Sequence, residues 1–192
     1  MSTKGKVITA IIVAAVLVAG GAGFYFKGGD LMGLVFKKNI SLNVSLAADT
    51  PVSANIPEGS INQPLAKFKL NANGGNITVD GLTINCIGNS AYSADENLAL
   101  LKITSGDTSK SYICVNGKST FNELKLTILN GSSVDLDISG NINIWPMSNP
   151  GDYFSFSIGD ISAFSPSSRL AVSIRKTGAQ ESNKMYVVEN KN

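Results

Sequence analysis

Ile40-Ser41-Leu42-Asn43-Val44-Ser45-Leu46 carries an apolar side chain at every second position, with serine or asparagine between. Successive side chains of an extended chain point to opposite faces, so this stretch has one apolar face and one wet face, as a half-buried strand does. The period recurs downstream. Ala66, Phe68 and Leu70 alternate with Lys67, Lys69 and Asn71, and Ile77 and Val79 precede an inward set of Leu82, Ile84 and Cys86, with Asp80-Gly81 read as a break. Leu124, Leu126 and Ile128, then Val134, Leu136 and Ile138, then Phe154, Phe156 and Ile158 repeat it. Leu170, Val172 and Ile174 form a late strand, beside which Met185 to Val188 is expected to return. Turn signals separate these runs: Asn73-Gly74-Gly75-Asn76, Asn116-Gly117 and Asn130-Gly131, where Gly and Asn accept positive φ at little cost. Ser105-Gly106-Asp107, between Leu98–Ile103 and Ser111–Val115, predicts a hairpin, while Asn89 to Asn97 reads as loop. The expected fold is all-β, an antiparallel β-sandwich of about eight to ten short strands.

Ahead of the strands, residues 7–26 hold no charged side chain and follow a basic stub with Lys4 and Lys6. As a helix rising about 1.5 Å per residue, the run covers about 30 Å, the thickness of a bilayer's hydrocarbon core. Phe24-Tyr25-Phe26 followed by Lys27 reads as an interfacial aromatic belt with a basic stop. That favours a retained anchor over a signal peptide cut near Gly20-Gly21-Ala22-Gly23, which would make the protein secreted. Lysines flank the run on both sides, so charge alone does not orient it. A short stub before it and a large cysteine-containing domain after it favour a cytoplasmic N-terminus and an extracytoplasmic C-terminal domain. The expected organisation is a signal anchor or transmembrane helix over 1–27, in contact with the lipid bilayer through residues 7–26, and a linker over 28–38. A β-sandwich domain over 39–165 follows, and 166–192 form a C-terminal β-hairpin or an extension of the sandwich.

Composition narrows the chemistry. Only 16% of the 192 residues are charged, the net charge is +2, and no basic run forms a patch, which argues against nucleic-acid binding. Histidine is absent, which removes histidine triads, metal ligands and proton shuttles together. No Gly-X-Ser-X-Gly elbow is present, and Ser165-Pro166-Ser167-Ser168 has no base to activate a nucleophile. The expectation is a non-enzyme with no catalytic, cofactor or metal residues.

Several residues still invite a reading. Cys86 and Cys114 lie in strand-like text. In an exported domain they would form a disulfide, closing a loop of roughly 29 residues worth about 3–4 kcal/mol, the alternative being two buried thiols. Asp135 and Asp137 share one strand face, and with Asp95, Glu96 or Asp107 they would supply oxygens for Ca²⁺. A solvated strand face that discourages edge pairing is the favoured reading of the two. Trp145, the one tryptophan, stands beside Pro146 near Tyr153, where it would contact a glycan or a protein partner or plug the end of a sandwich. Asn39, Asn43, Asn76 and Asn130 match the Asn-X-Ser/Thr acceptor pattern, which has meaning only in a host with that machinery.

The block Pro64 to Ser165 resembles a family of immunoglobulin-like β-sandwich modules of bacterial surface and S-layer-type proteins. Leu65 to Leu70, Ile77 to Ile84, Phe121-Asn122-Glu123-Leu124, the link Thr127 to Ser133, Val134 to Ser139 and Gly151 to Ile158 carry the likeness. The resemblance implies an immunoglobulin-like sandwich serving as a structural or adhesive module, often repeated in tandem; this chain carries one, with two cysteines and a short anchor. The expected role is a membrane-anchored extracytoplasmic protein of the cell surface, acting in structure or adhesion with an envelope protein or glycan as partner. A pilin-like filament subunit, its apolar helix forming the assembly core, is the alternative. Lys4-Gly5 resembles a prepilin cleavage point, although Lys6 follows it and Ala10 stands where bacterial pilins of this type carry a glutamate.

Overall fold

Period-two alternation becomes two sheets packed face to face in the computed structural model, which describes residues 39–89, 93–144, 147–167 and 172–191. The strands are β1 (Ser41–Leu46), β2 (Ala54–Pro57), β3 (Gln63–Asn73), β4 (Ile77–Gly88), β5 (Leu98–Ser105), β6 (Thr108–Tyr112), β7 (Lys118–Phe121), β8 (Leu126–Ile128), β9 (Ser133–Ile142), β10 (Tyr153–Phe164), β11 (Ser173–Lys176) and β12 (Met185–Val188). One sheet runs β11-β1-β3-β9-β5-β6 and the other β2-β12-β10-β4-β7, with β8 also on β4. Leu42, Val44, Phe68, Leu70, Leu136, Ile138, Leu101 and Ile103 from the first sheet meet Ile77, Val79, Ile84, Phe154, Phe156 and Val187 from the second in one buried core. These are largely the positions at which the alternation placed apolar side chains.

Five features depart from the sequence expectation. The sheets are mixed: β11 pairs parallel to β1, and β12 parallel to β2. β11 and β12 therefore belong to different sheets, and Met185–Val188 runs beside β10 instead of returning along β11. Asp80-Gly81 does not break β4; opposite Ser162 and Ala163 the register skips Asp80, a β-bulge, whose carbonyl accepts the Leu124 N–H at 2.9 Å. The hairpin after β5 has its second arm at Thr108–Tyr112, and a single helical turn, α1 (Ser93–Asn97), replaces part of the expected loop.

The two cysteines form a disulfide. It ties β4 at Cys86 to Cys114, in the link that carries the chain from β6 to β7 and so from one sheet to the other. Both are buried. The neighbouring Val115-Asn116-Gly117-Lys118 turn has φ of +52° and +70° at its central residues, the I′ geometry that Asn-Gly favours. No helix among the described residues is long and apolar enough to cross a membrane; the anchor expected at 7–26 and the linker at 28–38 lie outside the described residues.

Candidate functional site

Strand direction sorts the loops into two groups. The described chain begins at Asn39, beside Gly74 at the far end of β3. β9 leaves that end at Ser133, opposite Asn71, and after about 30 Å of extended chain reaches Ile142, opposite Leu98. The end away from Asn39 therefore gathers residues 58–62, α1, 113–117, 143–144 and 147–153.

Two backbone segments run side by side there. Gly59 N–H donates to Asn143 O at 3.2 Å, and Ile142 N–H donates to Ser60 O at 2.8 Å. Gly59 has a φ of +74°, and a Cβ there would sit 3.0 Å from Ile144 Cγ2, so glycine lets the two segments close up. The arrangement holds Ile61, Ile144 and Met147 outward, with 67%, 64% and 62% of their surface exposed. Ile113 and Val115 are also exposed, on the link toward the same end.

Hydrogen bonds tie the loops of this end to one another. Asp152 accepts from Asn89 Nδ2 at 2.8 Å and from Asn97 Nδ2 at 3.1 Å. Asn97 Oδ1 accepts the Asn149 N–H at 2.8 Å, and Asn149 Nδ2 donates to Glu96 at 3.0 Å. Asn143 Nδ2 donates to Glu96 O at 2.6 Å, Asp95 accepts the Gly117 N–H, and the buried Ser148 hydroxyl donates to the buried Glu58 carboxylate. Asn97, Ser148 and Glu58 are buried, so a broken bond there strands a partner away from water, whereas the bonds Asn89–Asp152, Asn143–Glu96 and Asn149–Glu96 lie at the surface. The sequence reading passed over this network, although four asparagines among the flanking residues (Asn89, Asn97, Asn143 and Asn149) are its visible trace.

The remaining candidates fall elsewhere. Asp135 and Asp137 lie on the outer face of β9 opposite Lys69 and Lys67 of β3, and ion pairs of 3.9 and 3.4 Å join them. Lys67 also pairs with Asp49 at 2.7 Å. The hydrogen bond from Lys67 holds the Asp49 carboxyl below its ordinary pKa, and the Asp49 carboxylate raises the Lys67 ammonium. Asp107 shares an open groove with Asp135 and Asp137 near the Asn39 end, whereas Asp95 and Glu96 belong to the opposite end. The five carboxylates are thus not brought together, and no cluster among the described residues could hold a metal ion. Trp145 lies outside the described residues, between the exposed Ile144 and Met147.

Fold and site define a class: a disulfide-linked two-sheet β-sandwich with an apolar pair of loops at one end. No protein-family model matches the chain, and no curated protein sequence does. Solved structures it is similar to include a chain of a type I cohesin–dockerin complex from Clostridium thermocellum, with a TM-score of 0.40 and 11% identity over 78% of this chain and 95% of that one. The sixth cohesin of scaffoldin B from Acetivibrio cellulolyticus, in complex with a dockerin, gives 0.37 and 12% over 79% and 99%. The CssB subunit of the enterotoxigenic Escherichia coli colonization factor CS6, complemented with a donor strand from CssA, gives 0.34 and 8% over 78% and 97%. Likeness this distant carries no weight for the partner of this chain.

Proposed function

We propose that this chain is a non-enzymatic, membrane-anchored extracytoplasmic protein whose immunoglobulin-like sandwich acts in cell-surface structure or adhesion. The observation that carries the reading is the exposed Ile61–Ile144–Met147 surface, at an end whose loops are tied together by hydrogen bonds. Apolar side chains held out by a rigid support lose little conformational freedom on docking, which is what an interface core requires. Two further features support it. The Cys86–Cys114 disulfide suits an oxidising compartment, and the apolar run 7–26 supplies the export signal and the anchor.

The test uses the full chain. Ile144→Asp with Met147→Asp should weaken its binding to isolated envelopes of the host roughly tenfold or more, while the thermal midpoint stays put because both side chains are exposed. Undiminished binding overturns the reading. Mass spectrometry of the native N-terminus checks the anchor separately: a start near Gly23 removes it, and a start at Lys6 transfers the chain to the filament alternative.

A further inference from the structure

The four Asn-X-Ser/Thr matches are indistinguishable as text, but the fold separates them. Asn43 sits in the middle of β1, paired on one side to Asn71 of β3 and on the other to Arg175 of β11, and its Oδ1 is buried. Asn39 and Asn76 are exposed, but their tripeptides run straight into sheet: Ser41 is buried in β1, and Ile77, fully buried, opens β4. Only Asn130-Gly131-Ser132 is exposed at all three residues. It lies in a four-residue turn closed by the Ser132 N–H on Leu129 O at 2.9 Å, with a φ of +76° at Gly131, which fits the third position of a type II turn. The Asn130 N–H donates to Asn76 Oδ1 at 2.9 Å, which pins the turn. Among the described residues nothing hydrogen-bonds the Asn130 carboxamide.

We infer that Asn130 is an acceptor for an N-linked glycan, and that it alone of the four can be modified on the folded chain. The motif needs the asparagine Nδ2 to reach a transferase while the Ser or Thr hydroxyl two residues on stays accessible, and a fully exposed turn meets both demands. The donor is a sugar chain linked through its anomeric carbon to a membrane lipid phosphate or pyrophosphate. Asn130 Nδ2 attacks that carbon, and the C–N bond forms as the C–O bond to phosphate breaks. The lipid phosphate departs with the electron pair, and the amide gives one proton to a base of the transferase. Oδ1 and the backbone bonds of the turn take no part, so the modified turn keeps its geometry. The site lies at the Asn39 end, away from the apolar loops, so a glycan there does not cover them.

This inference rests on the exported orientation proposed above, and the test separates the two. The full chain is taken from membranes of its native host and mapped by non-reducing digestion with fragmentation of glycopeptides. The expected result is the Cys86–Cys114 disulfide, at least one hexose on the peptide containing Asn130, and an unmodified Asn43. Asn130→Gln should abolish that glycan, and so should Ser132→Ala, which leaves the asparagine and the backbone of the turn in place. A bare Asn130 in protein whose disulfide is formed overturns the inference while leaving export standing. Free thiols with a bare Asn130 overturn both.

Discussion

The two ends of the sandwich are held by different means. At the Asn39 end the turns β3–β4, β5–β6 and β8–β9 are short and rest largely on backbone geometry: Gly74 lies where an added Cβ would stand 2.3 Å from Asn39 O, and Gly131 closes a tight turn. At the opposite end the connections are longer and are fixed by side chains, with Asn89, Asn97, Asn143 and Asn149 bonded to Asp152, Glu96 and backbone. A turn set by backbone dihedrals needs no packing of its own and leaves exposed polar residues available for modification. A loop set by an amide network can hold Ile61, Ile144 and Met147 in water without collapsing onto them. Under the function and the inference proposed above, the two ends would take separate tasks, Asn130 at the first carrying a glycan and the second meeting a partner.

The largest effect should come from cutting the covalent tie at the end away from Asn39. Replacing Cys86 and Cys114 together by alanine should lower unfolding free energy by about 3 kcal/mol, since the bond closes a separation of 28 residues. Urea unfolding reads the total, and amide exchange should show protection lost first around Gly117, whose carbonyl receives the Cys86 N–H at 2.8 Å. An unmoved urea midpoint would show that the amide network suffices without the disulfide. The Asn39 end is broken differently. Gly74→Ala must adopt a φ of +84° and drive its Cβ into the Asn39 carbonyl, whereas Gly131→Ala meets only the dihedral penalty at +76°, with nothing within 4 Å. The first should cost about 2–3 kcal/mol and the second about 1. Equal costs would mean that the backbone at Asn39 gives way.

How far each region could be read in advance follows the same division. Core-facing positions such as Leu42, Phe68, Ile84 and Phe156 were legible because strand alternation is a local rule, and burial obeyed it. Asn116-Gly117 was legible as a turn for the same reason. Asn130-Gly131, the same dipeptide, turns the chain with only Gly131 at positive φ, and the choice between the two geometries is made by what the flanking strands join. β-bulges escaped the reading. Leu65 and Ala66 are both buried because the register of β3 on β9 shifts there. Leu124 is buried as the alternation has it, but Glu123 and Lys125 beside it stand at φ of +55° and +50°, which the alternation does not foretell. The parallel pairings of β11 and β12 escaped it too, since which strands become neighbours depends on contacts far apart in sequence. At the end away from Asn39, Asp95 and Glu96 were singled out as metal oxygens and not as loop anchors; the amide network there joins residues 47 to 63 positions apart, a relation no local pattern carries.

Between the two ends lies a third region, the outer face of β3 and β9, where the smallest effect is expected. Asp49 titrates below its ordinary value because Lys67 donates to it, so its contribution is complete above about pH 4 and fades as pH falls through the lowered folded value. Lys67 titrates above its ordinary value because of Asp49, so its contribution holds below about pH 10 and is lost as pH rises through the raised folded value. Stability against pH should therefore be flat across the neutral range and bend at both extremes. Both groups meet solvent, so the bend is shallow and shrinks further in salt. Asp49→Asn should flatten the acid limb without moving the neutral plateau by more than the urea measurement resolves, because Lys67 keeps Asp137 at 3.4 Å as its remaining partner. A plateau that drops as far as it does on losing the disulfide would mean that this face, and not the covalent tie, carries the stability of the sandwich.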